Sequence, residues 1–352
     1  MSGNGQAGPA TAGAVGATAP EVPLLEVADL KTYYQVRRGL TERLVRTPRM
    51  WVHAVDGVSF RLARGEMMAL VGESGCGKTT TAQTILGMVK PTSGSIRLNG
   101  TDIAKLAERQ LRPLRRTLQM IYQDPYESLD PRFRVRESVE EPMLVHGIGS
   151  SRAEREKLAV EALERAGLAP APVYLDRFPH ELSGGQRQRV AIAAALVLGP
   201  ELLLADEPVS MLDVSVRAGV LSLLDTLRRN GDMGILMITH DLSTAARFAD
   251  RIAVMYLGRI VEHGPASDVV RNPQHPYTKA LLSVVPKRDP QHRSRPQILQ
   301  GETPDPTHIP VGCRFHPRCP IAIPECKQVD PELRRTSGSR SPGHRAACIR
   351  AW

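Results

Sequence analysis

With 352 residues, 41% of them hydrophobic and 24% charged, the chain has material for one large domain plus an extension, which excludes a mainly disordered protein. The 46 Lys and Arg exceed the 37 Asp and Glu by nine, a surplus that favours anionic partners such as nucleotides, nucleic acid or an acidic membrane surface without choosing among them. Five cysteines are too few for a disulfide scaffold of this length, and four of them lie beyond residue 312.

Residues 1–22 are mostly Gly, Ala, Ser, Thr and Pro, a composition that predicts a disordered tail. The first twenty carry no Lys or Arg and no apolar block, so no secretion signal is expected. Val58, Phe60 and Leu62 alternate with polar residues as in a half-buried strand. Met67–Val71 is an unbroken apolar run, as in a strand covered on both faces. A Gly-rich turn follows, then a helix from about Lys78, and Gly94–Gly100 reads as half of a hairpin. Ser151–Ala166 is a charged helix closed by Gly167, with Glu161 and Arg165 spaced i,i+4. A helix over Gln186–Leu198 contains the longest clean apolar run, Val190–Leu198, which stops at Gly199-Pro200 well short of the ~20 residues of a membrane span. Leu202–Asp206 and Ile235–Thr239 are short apolar strands. Strands separated by helices predict an α/β domain over 23–265, with an inserted helical subdomain at about 124–190. Beyond 265 proline and histidine become frequent and periodicity fades, so 266–352 is expected to be an irregular, Cys-containing extension.

Gly72-Glu73-Ser74-Gly75-Cys76-Gly77-Lys78-Thr79 fits G-x-x-x-x-G-K-S/T, with Thr80 following. Glycines let backbone N–H groups turn inward around phosphate oxygens, and the helix that follows aims its positive end at the same point. Lys78 supplies a cation to the β- and γ-phosphates, and the Thr79 hydroxyl a ligand for Mg²⁺. Downstream, Leu202–Glu207 ends in two carboxylates, Asp206 for Mg²⁺ and Glu207 as general base or water-orienting group. Cys76, inside the loop, is expected to be a small packing residue.

Leu182-Ser183-Gly184-Gly185-Gln186 resembles the signature of ABC ATPases. Ser183, Gly184 and Gly185 open a helix N-terminus, a second γ-phosphate site that one chain does not need for its own nucleotide. The resemblance implies that two ATPase domains dock head to tail and clamp two ATP molecules. It also implies a RecA-like core with an antiparallel β subdomain and a helical subdomain. By the same resemblance Gln123 is the Q-loop glutamine reaching Mg²⁺ and the attacking water, and Asp213 the D-loop aspartate at the dimer interface, although Met211 stands where Ala is usual. His240 is the switch histidine at the γ-phosphate. Tyr34, beside Tyr33, is the aromatic residue that stacks on adenine.

Asp124-Pro125-Tyr126 through Arg132, Asn272–Thr278 and the tail Gly312–Pro320 resemble the ATP-binding subunits of bacterial dipeptide/oligopeptide importers, a group that includes nickel importers. Within that group the chain is most similar to the paralogue with a basic insertion before its first core strand, here Arg37–Met50. The resemblance implies a second ATPase subunit (a paralogue or the same chain), two membrane permeases and an extracellular substrate-binding protein. It places the chain peripherally on the cytoplasmic side of the inner membrane. Cys313, Cys319, Cys326 and Cys348 are spaced x5, x6 and x21. Four thiolates in a reducing compartment point to a metal in place of two disulfides. Zinc, a 4Fe–4S cluster and free thiols all stay open on spacing; members of the resembling group can hold the cluster. His316 and His344 are candidate substitute ligands, but are expected at the surface. The tail is too poor in periodic apolar residues for a core of its own, so metal–thiolate bonds would replace one, away from the phosphate site.

Two other functions use the same engine. A nucleic-acid ATPase would suit the positive charge, but no long heptad run and only one phosphate loop are present, so no nucleic-acid partner is expected. An exporter shares the nucleotide motifs; the His-Pro-Tyr-Thr segment at 275–278 and the Cys tail argue for import.

Overall fold

The computed structural model describes residues 22–36, 49–284, 299, 301–339 and 341–351. The expected disordered tail, but for Val22, and the basic insertion, but for Arg49 and Met50, lie outside the described residues.

The strands β1 (Leu25–Gln35), β2 (Trp51–Leu62), β4 (Ser93–Leu98) and β5 (Thr101–Asp102) form an antiparallel sheet in the order β2-β1-β4-β5. A second sheet has β3 (Met67–Val71), β6 (Leu118–Ile121), β7 (Leu202–Asp206), β8 (Gly234–Thr239) and β9 (Arg251–Tyr256) parallel, in the order β9-β3-β8-β7-β6. β3 and β7 are buried at every position because both faces of the sheet are covered. Successive residues of β3 therefore feed different cores. Met67, Ala69 and Val71 pack toward the helical side, and Met68 and Leu70 toward the antiparallel sheet.

α1 (Lys78–Ile85) follows β3 directly. Between β6 and β7 the chain inserts helices, chiefly α2 (Val135–His146), α3 (Arg152–Arg165) and α4 (Gly184–Leu196). Ser151 caps α3 by accepting from the Glu154 N–H, and Gly167 at φ +79° closes it. Glu161 pairs with Lys157 one turn earlier, at 4.0 Å, in place of the expected Arg165. α5 (Val214–Gly231) and α6 (Leu242–Phe248) complete the covering of β7 and β8.

The sheet continues past its parallel part. β10 (Arg259–Pro265) pairs antiparallel with β9, and two short strands of the extension, β11 (Arg334–Arg335) and β12 (Arg345–Ala346), add to β10. α7 (Ala266–Arg271) and α8 (Pro276–Ser283) lie between. The extension shares the core of the ATPase domain. Tyr277 of α8 and Phe315 are fully buried in the ATPase core, with ring centroids 4.8 and 5.2 Å from that of Tyr256. Such aromatic pairs add ~0.5–1.5 kcal/mol each beyond area burial. His344 is buried rather than at the surface. Its Nε2 lies 2.7 Å from Glu262 Oε1, and Glu262 also accepts from the Gln274 and His275 N–H groups. A buried carboxylate with three such partners ties β10 to both halves of the extension.

Candidate functional site

One open pocket collects residues from both sheets. Tyr34, Val52 and Ala54 come from the antiparallel sheet, and Glu73, Ser74, Gly75, Gly77, Lys78, Thr79 and Thr80 from the loop after β3 and the start of α1. Gln123, Glu207 and His240 follow the ends of β6, β7 and β8. These are the carboxyl ends of parallel strands, where the diverging loops of an α/β sheet leave a crevice.

The loop's shape depends on glycine. A Cβ on Gly72 would meet the Met255 carbonyl oxygen at 2.2 Å, and one on Gly77, at φ +107°, the Ala54 oxygen at 2.0 Å. Lys78 is buried, and its Nζ donates to the carbonyls of Gly72 and Glu73 at 2.8 and 2.9 Å, spanning the loop. Gly72 and Cys76 lie behind the loop and do not line the pocket. Burial pushes the Cys76 thiol up in pKa, as suits a packing residue.

Asp206 is buried beneath the loop. Desolvation raises its pKa, aided by the Glu207 charge and opposed by a hydrogen bond from Thr79 and the charge of Lys78. Its Oδ1 is buried with no hydrogen-bond partner among the described residues. A carboxylate oxygen left without a partner beside a threonine hydroxyl fits a hard cation such as Mg²⁺. Glu207 adopts φ +44°, a costly conformation for a non-glycine residue, held by its N–H donating to the Ile238 carbonyl. Its Oε1 lies 3.1 Å from Nδ1 of the exposed His240.

Tyr33 and Tyr34 separate cleanly. Tyr33 donates its hydroxyl to Asp56 at 2.6 Å and stacks on His53, and burial together with Asp56 pushes its pKa up to about 12. Tyr34, the next residue of β1, faces the pocket.

Ser183, Gly184, Gly185 and Gln186 do not line this pocket. Ser183 caps α4 in a reciprocal box: its hydroxyl accepts from the Gln186 N–H at 3.3 Å, and Gln186 Oε1 accepts from the Ser183 N–H at 3.0 Å. Gly185 allows α4 to approach α5, since a Cβ would meet Val216 Cγ1 at 2.5 Å. Asp213 stands exposed at the N-cap of α5 and makes no side-chain capping bond; Met211 and Val214 beside it are exposed.

The extension reaches this site, contrary to the expectation that it stays clear. Leu281 of α8 and Pro306 line the pocket, and the Pro306 carbonyl accepts from the His53 N–H at 3.0 Å. Arg318 and Thr303 hold the Glu73 carboxylate. Of these extension residues only Arg318 falls in a segment the sequence singled out, Gly312–Pro320, and nothing there pointed to the phosphate loop.

Cys313, Cys319, Cys326 and Cys348 line a second, small pocket together with His275, Phe315 and His316. All four thiols are free. Burial pushes Cys313 up to about 11, and Cys319 and Cys348 upward. Among the described residues no three or more His, Cys, Asp or Glu side chains form a ready metal site, so the expected cluster has no preformed ligand shell. The donor set, four soft sulfurs facing one enclosed space, is nonetheless of the kind that iron or zinc takes. His316 turns its Nδ1 to the Cys313 carbonyl at 2.9 Å.

Comparison with known proteins agrees with this architecture. The ABC transporter family matches residues 55–210, and the oligopeptide/dipeptide transporter C-terminal region matches 261–326. The chain is 46% identical over 329 residues to the oligopeptide transport ATP-binding protein AppF of Bacillus subtilis, covering 92% of this chain and 96% of that one. It is 44% identical over 312 residues to the oligopeptide transport ATP-binding protein OppF of Salmonella typhimurium, covering 88% and 92%. Among solved structures, a dimeric post-hydrolysis ATP-binding cassette with ADP and Pi matches at 28% identity and TM-score 0.60, over 69% of this chain and 98% of that one. The cbiO1 subunit of a Clostridium perfringens ABC transporter complex matches at 28% identity and TM-score 0.61, over 72% and 92%.

Proposed function

The chain belongs to the ATP-binding subunits of ABC oligopeptide transporters, and from that membership we propose that it is the ATP-hydrolysing motor of a membrane importer for di- and oligopeptides. The observation that carries this is the composition of the open pocket: phosphate loop, Gln123, Glu207, His240 and Tyr34 converge there, while Ser183–Gln186 does not line it.

Tyr34 stacks on the adenine. The loop N–H groups, with Lys78, Thr79 and Thr80, hold the phosphates. Thr79, Asp206 and Gln123 would hold Mg²⁺, which would supply positive charge to offset that of the phosphates. Glu207 orients the attacking water and accepts its proton, and His240, in contact with Glu207, faces the γ-phosphate. A second ATPase subunit presents its own signature helix to that phosphate. In return, Ser183–Gln186 and the exposed Asp213 of this chain complete the partner's site. ATP thus closes the pair, and hydrolysis reopens it.

Two permeases and an extracellular binding protein complete the importer. The chain sits peripherally on the cytoplasmic face; no helix among the described residues is long and apolar enough to cross a membrane. A groove along β6 and the helical subdomain, lined by Tyr122, Leu129, Phe133 and Pro142, offers a permease a seat next to Gln123. Finally, Cys313, Cys319, Cys326 and Cys348 would hold a metal centre, a 4Fe–4S cluster in preference to zinc, which would brace the extension.

Uptake tests the whole. Cells lacking this chain lose accumulation of labelled oligopeptide, and restoring the chain recovers it while the Lys78→Ala variant does not. Unchanged uptake together with peptide retained inside the cells would favour an exporter.

A further inference from the structure

Glu73 is the second residue of the phosphate loop, and every polar group on it is engaged. Its carbonyl accepts from Lys78. Its N–H donates to the Tyr277 hydroxyl at 2.8 Å. Its carboxylate takes both guanidinium nitrogens of Arg318, Nη1 to Oε2 at 2.8 Å and Nη2 to Oε1 at 3.2 Å, and the Thr303 hydroxyl at 3.0 Å. Three of these four partners belong to the extension.

Arg318 is the shielded partner, while the Glu73 side chain stays 29% exposed at the pocket. The Arg318 side chain is 8% exposed and its guanidinium lies over the Tyr256 ring. Burial alone would raise the Glu73 pKa; the bonds from Arg318 and Thr303 and the charges of Arg318 and Lys78 outweigh it and hold the carboxyl below its usual range. A two-pronged, charge-assisted bond fixes orientation as well as distance, which a lysine cannot reproduce.

A loop containing Gly72, Gly75 and Gly77 has many conformations, and only those with converging N–H groups bind phosphate. Anchoring Glu73 reduces that freedom before the ligand arrives. Building on the assignment of this pocket to ATP, we propose that Arg318 is a positioning residue of the ATP site: through Glu73, the docked extension sets the phosphate-loop conformation and with it the ATP affinity of the subunit. Arg318 touches no substrate and acts on binding, leaving the chemical step alone.

Titration of the full-length chain with a fluorescent ATP analogue and Mg²⁺, together with steady-state hydrolysis, tests this. Arg318→Gln and Glu73→Gln are each expected to raise Kd and KM about 10-fold, with kcat within about twofold. Arg318→Lys recovers only part of the affinity, and the double variant is no weaker than either single one, because both remove one bond. Glu73→Gln leaves the extension's own residues intact, so it decides the matter if Arg318→Gln fails to fold. Affinity unchanged in the Glu73 and Arg318 variants while Lys78→Ala loses ATP overturns the proposal and spares the ATP site. A wild-type chain that binds no ATP overturns both. A fall in melting temperature with unchanged KM reduces Arg318 to a structural residue and also overturns it.

Discussion

Glu207 Oε1 and His240 Nδ1 lie 3.1 Å apart at the ends of two neighbouring parallel strands, β7 and β8. The contact joins the group that would activate water to a side chain exposed toward the pocket. In Glu207→Gln the amide keeps the shape but cannot take a proton. Turnover is expected to fall at least about 10²-fold while ATP affinity holds or tightens. Near-normal steady-state hydrolysis in that variant would remove Glu207 from the mechanism.

Lys78→Ala deletes a buried cation whose Nζ spans the loop between the Gly72 and Glu73 carbonyls. The loss falls on the ground-state complex as well as the transition state, so ATP affinity itself should drop by at least about 10-fold. Equilibrium nucleotide titration checks it; an unchanged Kd would mean the phosphates bind elsewhere.

The two adjacent tyrosines should respond oppositely. Tyr34→Ala removes the aromatic wall of the pocket and should raise the ATP Kd about 2- to 12-fold, with Tyr34→Trp near wild type. Tyr33→Phe removes the hydroxyl that Asp56 accepts and should lower stability while leaving ATP affinity alone. The reverse outcome would move the adenine contact to Tyr33.

His275 is wholly buried. Its N–H donates to Glu262 and its Nδ1 accepts from the Tyr277 N–H at the start of α8. Burial, opposed by the Glu262 charge and helped by Lys279, pulls its pKa from 6.5 to about 4. Between those values the unfolded chain binds the extra proton, so stability falls as pH drops through that window, by at most about 1.4 kcal/mol per pH unit from this group. Urea midpoints between pH 7 and 4 should drop less for His275→Asn, whose side chain can still cap α8. Parallel curves for parent and variant would clear His275 of the effect.

Much of the site was legible because its parts are contiguous strings. A buried strand, a glycine turn and a helix place Gly72–Thr79 by local geometry, and a strand ending in Asp206 and Glu207 carries its own address. The choice of Tyr34 over Tyr33 rested on the resemblance, since nothing local in the sequence reveals that Asp56 claims Tyr33. The bond between Glu73 and Arg318 spans 245 positions and has no periodic trace. The tail looked coreless because single aromatics, Tyr277 and Phe315, do its burying, and an aperiodic segment hides them. His344 looked like a surface residue because its partner, Glu262 of β10, lies 82 positions earlier in the chain.

The cysteine pocket carries the sharpest test. Its four thiols line one space, yet among the described residues no three or more such side chains form a ready metal site; burial pushes Cys313, Cys319 and Cys348 up in pKa, and only thiolates bind metal strongly. Protein purified without air should be brown, absorbing near about 400 nm, with about four iron and four sulfide per chain. Stoichiometric zinc without iron would replace the cluster by a zinc site, and absence of any metal would leave aromatic burial and the Glu262 bonds as the extension's only braces. Cys319 directly follows Arg318, which ends a short turn begun at His316. Cys319→Ser should therefore lower the metal content and also loosen the grip on Glu73, raising the ATP Kd in the direction expected for Arg318→Gln. Metal loss with an unchanged ATP Kd would show that the turn holds Arg318 in place without its sulfur neighbour.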